Sequence, residues 1–135
     1  MIVTGSCHCG EVKFQAEIQP DQMQICHCTD CQVLTGSAFR ATVAARPESF
    51  KLVRGEPRIY LKTADSGSRR RHAFCGTCGT PVYRMPTDNT PNYSLRIGNL
   101  DQKLQLETPV RQIWTKRRLP WVTDLEAVPE IDFQS

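Results

Sequence analysis

The sequence has no apolar stretch approaching the roughly 20 residues that a transmembrane helix requires, so no helical membrane span is expected. It leaves no room for a secretion signal either, because Met1-Ile2-Val3-Thr4-Gly5-Ser6 runs straight into a cysteine pair. These two absences predict a soluble, cytoplasmic protein with no membrane partner. Charge of one sign is also scarce: 17 Lys and Arg against 14 Asp and Glu give +3 over 135 residues. That balance argues against a nucleic-acid partner. The basic runs Arg69-Arg70-Arg71 and Lys116-Arg117-Arg118 read as solvated loops or strand ends. The nine prolines and eight glycines are scattered, so no linker divides the chain, and the length suits one domain over residues 1–135. Sustained helical periodicity over a dozen residues is missing as well. Little helix is expected.

In its place there is alternation. Val12, Phe14, Ala16 and Ile18 are interleaved with Lys13, Gln15 and Glu17, the period of two that marks a strand with one buried face. Similar short runs occur at 37–43, 50–54, 58–62, 70–74, 81–84 and 93–97. Phe50–Arg54 and Arg58–Lys62 read as a pair joined through Gly55-Glu56-Pro57, and Gln32–Thr35 as one helical turn stopped by Gly36. Trp114 and Trp121 are assigned to the core, as aromatic side chains usually are. The expected class is mostly β, with short strands and many turns.

Seven cysteines dominate the chemistry: Cys7-His8-Cys9-Gly10, Cys26-His27-Cys28-Thr29-Asp30-Cys31 and Cys75-Gly76-Thr77-Cys78-Gly79. An odd number at such tight spacing, in a chain expected in a reducing compartment, points to metal ligands rather than disulfides. The 75–79 segment is a knuckle that offers two thiolates to a tetrahedral ion and needs two more. Spacing alone leaves both partners open, Cys7 with Cys9 or two of the middle three. The four-plus-three partition is the more economical, because the opposite pairing strands one middle cysteine. All-sulfur sites select zinc, with an iron–sulfur cluster as the alternative. His27, His72 or Asp30 would close the middle set into a second structural site, although His27 and Cys28 are adjacent and ill placed to reach one ion.

The order Cys-x-Cys-Gly, then Cys-His-Cys-x-x-Cys with Thr35-Gly36-Ser37-Ala38-Phe39, then Phe74-Cys75-x-x-Cys78-Gly79, resembles the glutathione-dependent formaldehyde-activating enzymes and centromere protein V-like domains. Ile113-Trp114 and Leu119-Pro120-Trp121-Val122 resemble the ending of many bacterial members, so the likeness spans about 5–122. It implies a compact, Mss4-like β fold of short sheets around two zinc sites. In it Cys7, Cys9, Cys75 and Cys78 would hold a structural zinc, and Cys26, Cys28 and Cys31 a catalytic zinc with an open position. The implied activity is carbon–sulfur lyase chemistry, joining or releasing an aldehyde such as formaldehyde on a small thiol such as glutathione. Many relatives carry histidine where Gln112 stands, so any role of that histidine is absent here. The other classes to weigh are a non-catalytic zinc domain that binds a protein partner and a thiol or metal sensor. Thr35-Gly36-Ser37 offers amides and a hydroxyl to the open metal or forms a plain turn, and Arg69–Arg71 offers cations to a thiol's carboxylates or stays solvated.

Overall fold

A computed structural model, describing residues 1–134, turns the alternation into ten short strands. In chain order these are β1 (Ile2–Ser6), β2 (Lys13–Glu17), β3 (Gln24–Cys26), β4 (Arg40–Ala44) and β5 (Lys51–Arg54). They continue with β6 (Arg58–Thr63), β7 (Arg69–Phe74), β8 (Pro81–Pro86), β9 (Ser94–Arg96) and β10 (Arg111–Ile113). The single α-helix among the described residues, α1 (Thr29–Thr35), lies between β3 and β4. Four 3-10 segments fill the chain between Ile97 and Ala127. The protein is mostly β, as expected, and no helix is long and apolar enough to cross a membrane.

Two sheets form. One has the order β1-β2-β5, the other β10-β3-β4-β9-β8-β7-β6. Pairing is antiparallel throughout except between β10 and β3. The core lies between the sheets. Val3, Phe14 and Ala16 of the small sheet meet Val43, Ala73, Val82, Tyr83 and Leu95 of the large one. Phe50 bridges them, stacked on Phe14 at 5.6 Å and on Tyr93 at 4.2 Å. Each such ring removes a large apolar area from water, on the order of 2–3 kcal/mol per fully buried side chain.

The expected pairing of 50–54 with 58–62 is not the one formed. β5 pairs with β2, Leu52 opposite Phe14, whereas β6 pairs along its whole length with β7. Gly55 explains the parting of the two strands. Its Cα packs against the Glu11 carbonyl so closely that a Cβ would clash, which pins the chain beside β2 before it crosses to the other sheet. Arg69–Arg71 forms the start of β7, the strand-end alternative of the two readings, with Arg69 exposed and Arg70 and Arg71 half-buried.

The tryptophans correct a second expectation. Trp114 and Trp121 are 45% and 54% exposed, so neither belongs to the core. They follow or flank β10, the edge strand of the large sheet, where the chain runs through 3-10 turns that bury no residue. With no second layer over that edge, their rings stay on the surface, and Lys116 Nζ sits 5.1 Å from the Trp114 ring.

Candidate metal centres

The loop between β1 and β2 carries Cys7 and Cys9, and the loop between β7 and β8 carries Cys75 and Cys78. The fold brings all four sulfurs within 4.8 Å of one another. Cys7 and Cys9 are 3.6 Å apart and Cys9 and Cys75 3.7 Å, close to the roughly 3.8 Å edge of a tetrahedron with 2.3 Å metal–sulfur bonds. Gly10 and Gly79 take positive φ, 83° and 77°, where a side chain would be strained. Their amides turn back onto the carbonyls of Cys7 and Cys75. The amides of Val12 and Thr77 donate to the sulfurs of Cys7 and Cys75 at 3.2 and 3.4 Å. Thr80 Oγ1 lies 3.2 Å from Cys78 Sγ, and this hydroxyl with its own amide draws the Cys78 thiol down to about 5. Thr77 Oγ1 donates to Glu11 Oε2 at 2.6 Å, tying the two loops together outside the sulfur cluster. His8 contributes its amide, to Thr80 Oγ1, and its ring joins no cluster.

Cys26, Cys28 and Cys31 form the second cluster, again with sulfurs within 4.8 Å. Cys26 ends β3, directly opposite Arg40 of β4. Cys28 is the N-cap of α1, and its sulfur accepts the Cys31 amide at 3.3 Å. Asp30 in the first turn suits the positive end of the helix. At the other end Gly36 takes the left-handed conformation (φ 63°) and returns its amide to carbonyls of the last turn. Thr35-Gly36-Ser37 is thereby accounted for as a helix cap: Thr35 Oγ1 donates to the Cys31 carbonyl and accepts the Ser37 amide.

Among the described residues no fourth histidine, cysteine or carboxylate joins these three sulfurs. Each candidate for that place is engaged elsewhere. His27 is fully buried with Nε2 2.7 Å from Gln112 Oε1, Asp30 pairs with Lys62 at 2.8 Å, and His72 Nδ1 faces Arg96. Crowding splits the thiols: a hydrogen bond from Cys31, with the Cys28 amide and the charge of Arg40, pulls Cys26 down to about 5. Cys31 is pushed well above its ordinary value by Cys26 and by burial. Three thiolates side by side need a cation, and sulfur-only donor sets suit soft or borderline divalent ions. Both clusters can hold a metal ion, the first with four ligands and the second with three.

The three sulfurs open into a cavity of about 190 Å³ on the face of the large sheet turned away from the core. Sequence reasoning missed its other walls. Arg40, Arg84 and Arg96 line it, with Lys62, Arg70 and His72 beyond. Arg40, Thr42, His72, Ser94 and Arg96 are all less than 10% exposed, although strand alternation assigns them to the side opposite Val43, Ala73 and Leu95. Burial, with Arg40 and Arg84 nearby, lowers Arg96 to about 9, which leaves it charged at neutral pH. Burial and the same arginine environment lower His72 to about 3, so its imidazole is neutral. Arg40, His72 and Arg96 also wall a second, largely apolar cavity of about 320 Å³ with Leu34, Tyr60 and Phe74. The signal that could have found this layer is the i, i+2 spacing of Arg40-x-Thr42, Arg70-x-His72 and Ser94-x-Arg96.

Residues 2–117 match the sequence model of the glutathione-dependent formaldehyde-activating enzymes. The chain belongs to this family. Its fold is also similar to a crystal structure of a Rhodobacter sphaeroides protein, with a TM-score of 0.60 at 23% identity, covering 81% of this chain and 98% of the other. Both cysteine clusters fall inside the family match.

Proposed function

We propose that this member of the family is a zinc-dependent carbon–sulfur lyase of the S-(hydroxymethyl)glutathione synthase type. It adds an aldehyde such as formaldehyde to a small thiol such as glutathione, or removes it. Cys7, Cys9, Cys75 and Cys78 hold a structural zinc, and Cys26, Cys28 and Cys31 a catalytic one. The observation that carries this reading is the three-sulfur cluster, which no fourth histidine, cysteine or carboxylate joins among the described residues, at the wall of a cavity of about 190 Å³. A closed four-ligand site stabilises a fold, whereas a site with three protein ligands leaves room for a reactant.

When bound, a zinc ion there supplies a Lewis acid that acidifies a thiol or polarises a carbonyl. The remaining chemistry belongs to the chain. Cys26, at the end of β3, and Cys28 and Cys31, at the start of α1, would hold the ion from two different elements, and the Cys31 amide and Arg40 steady their negative charge. The cavity accepts a small thiol and an aldehyde together, which brings sulfur and carbonyl carbon into reach. In the forward direction the thiol gives up its proton, sulfur bonds to the aldehyde carbon, and the carbonyl oxygen gains a proton. The reverse breaks the same carbon–sulfur bond. Burial keeps the His72 imidazole neutral at pH 7, and its Nδ1 faces Arg96 Nη2 at 3.3 Å.

Formaldehyde and glutathione combine spontaneously, so the test is a rate. Exchange NMR on an equilibrated mixture reads the adduct's formation and breakdown with and without the zinc-loaded protein. Exchange accelerated well above the background, and lost in Cys28→Ser, is expected. An unchanged exchange rate at full zinc occupancy of both clusters would sink the lyase reading in favour of a protein-binding zinc domain.

A further inference from the structure

The buried cations around the three-cysteine cavity are not explained by holding a metal. Arg40 and Arg96 are each 8% exposed, and the Nε of each is buried without a protein partner. Arg84 joins them from β8, in register with Ser94, which lies two residues from Arg96. Among the described residues these three guanidiniums make one side-chain hydrogen bond, Arg96 Nη2 to His72 Nδ1, and no salt bridge. No carboxylate lines this cavity among the described residues; Asp30 and Asp65 line the neighbouring cleft, where Asp30 pairs with Lys62.

Buried charges without partners are costly, so Arg40 and Arg96, with the half-buried Arg84 beside them, call for compensation. The thiolates are the obvious source, but they fall short. Three thiolates around a divalent ion would carry a single net negative charge, against the positive charges of Arg40, Arg70, Arg84 and Arg96 lining the same cavity. A surplus of positive charge is left over. Planar guanidiniums with free donors are built for carboxylates, which they bind through paired hydrogen bonds.

We propose that Arg40, Arg84 and Arg96 form an anion-binding subsite that recognises a carboxylate of the thiol reacting at Cys26, Cys28 and Cys31. The position follows from the sheet. Cys26 and Arg40 are register partners on neighbouring strands, Thr42 and Arg96 are the next pair across, and Arg84 follows one strand further. Such neighbours are about 5 Å apart along each row, so sulfur and carboxylate are separated by only a few strand spacings. The chain thereby selects small anionic thiols over neutral or cationic ones of the same size. That the ligand is a thiol rests on the proposed function; that the subsite takes a carboxylate does not.

The experiment titrates zinc-loaded wild-type protein, at constant ionic strength, with 3-mercaptopropionate, 2-mercaptoethanol, cysteamine and propionate, read by calorimetry. 3-Mercaptopropionate is expected to bind at least about tenfold more tightly than the neutral and cationic thiols, as one charge-assisted contact allows. Propionate is expected to bind weakly and to compete with it. Arg84→Gln and Arg96→Gln, checked for folding by circular dichroism, are expected to collapse the anionic-to-neutral ratio to about one, and Arg84→Lys to keep part of it. A wild-type preference within about twofold overturns the proposal without recourse to any variant. So does a preference that survives in folded Arg84→Gln and Arg96→Gln. Preference for the anionic thiol, and its loss in the variants, without acceleration of adduct exchange leaves the subsite standing and removes the lyase reading alone.

Discussion

His27 Nε2 lies 2.7 Å from Gln112 Oε1, and this hydrogen bond joins the cysteine-bearing end of β3 to the edge strand β10. With a carbonyl oxygen as partner, Nε2 is the protonated nitrogen and Nδ1 is left bare and buried. The histidine between Cys26 and Cys28 therefore serves the fold and not the metal. It is fully buried against Phe39, with ring centroids 5.7 Å apart.

Gln112→Leu removes the one side-chain partner of that imidazole and leaves a second buried polar atom unsatisfied. The expected cost is about 1–3 kcal/mol of stability, read as a lower urea midpoint at unchanged slope. Zinc content should stay at two ions per chain, since no ligand is touched. A variant as stable as wild type would show that β10 is not held by this contact.

His72 gives the fold a pH dependence whose sign follows from its environment. Its folded value, lowered to about 3 by burial first and then by Arg96 and Arg40, lies below the 6.5 of a free histidine. Between those values the unfolded chain binds the extra proton, so stability rises with pH across the window and is lost toward its acidic end. His72→Gln should flatten this slope by up to about 1.4 kcal/mol per pH unit. Urea midpoints of both proteins at pH 5, 6 and 7 check it, the difference between them cancelling titration at the cysteines. Parallel pH profiles would place His72 in water.

Much of the site was legible in the sequence, and what was not has a physical cause. Cysteine spacing reveals ligands because sulfur serves few other purposes at two- and three-residue intervals, and the four-plus-three partition survives in space. Strands announced themselves where one face is apolar, as with Phe14 and Ala16 of β2. The arginine layer did not. Arg40 and Arg96 occupy strand positions that normally meet solvent; their i, i+2 spacing shows a shared polar face but not that the face is buried. Partner choice was equally hidden: the separation of β5 from β6 depends on Gly55 meeting a carbonyl 44 positions earlier in the chain. Trp114 was misplaced for a related reason, because an aromatic residue just past an edge strand reads in sequence like one in a core.

That half-exposed Trp114 makes a reporter. It lines the three-cysteine cavity and the adjoining cleft beside Cys28, whereas Trp121 borders neither. In Trp121→Phe, titrating glutathione into zinc-loaded protein should shift or quench the remaining emission, with a saturable dependence on concentration. In Trp114→Phe the same titration should leave the emission of Trp121 flat. A response confined to Trp121 would put the thiol on the wrong side of β10.

The two cysteine clusters should separate cleanly when one ligand of each is removed. Cys78 is one of four sulfurs that bring together two loops some 66 residues apart, Cys9 to Cys75, so Cys78→Ser removes a ligand from a site that only the folded chain assembles. Metal binding there is folding energy, and the variant is expected to lose cooperative unfolding or to melt at least about 10 °C lower, equivalent to a few kcal/mol for a domain of this size. Cys28→Ser weakens a cluster confined to β3 and α1, with an oxygen still present to cap the helix and accept the Cys31 amide. Its melting temperature should fall by only a few degrees, about 1 kcal/mol, while zinc drops from two ions to one and aldehyde–thiol exchange falls to background. Metal analysis, calorimetric melting and exchange NMR on the two variants decide the assignment. Equal unfolding in both would make both cysteine clusters structural and leave no vacant position for a thiol.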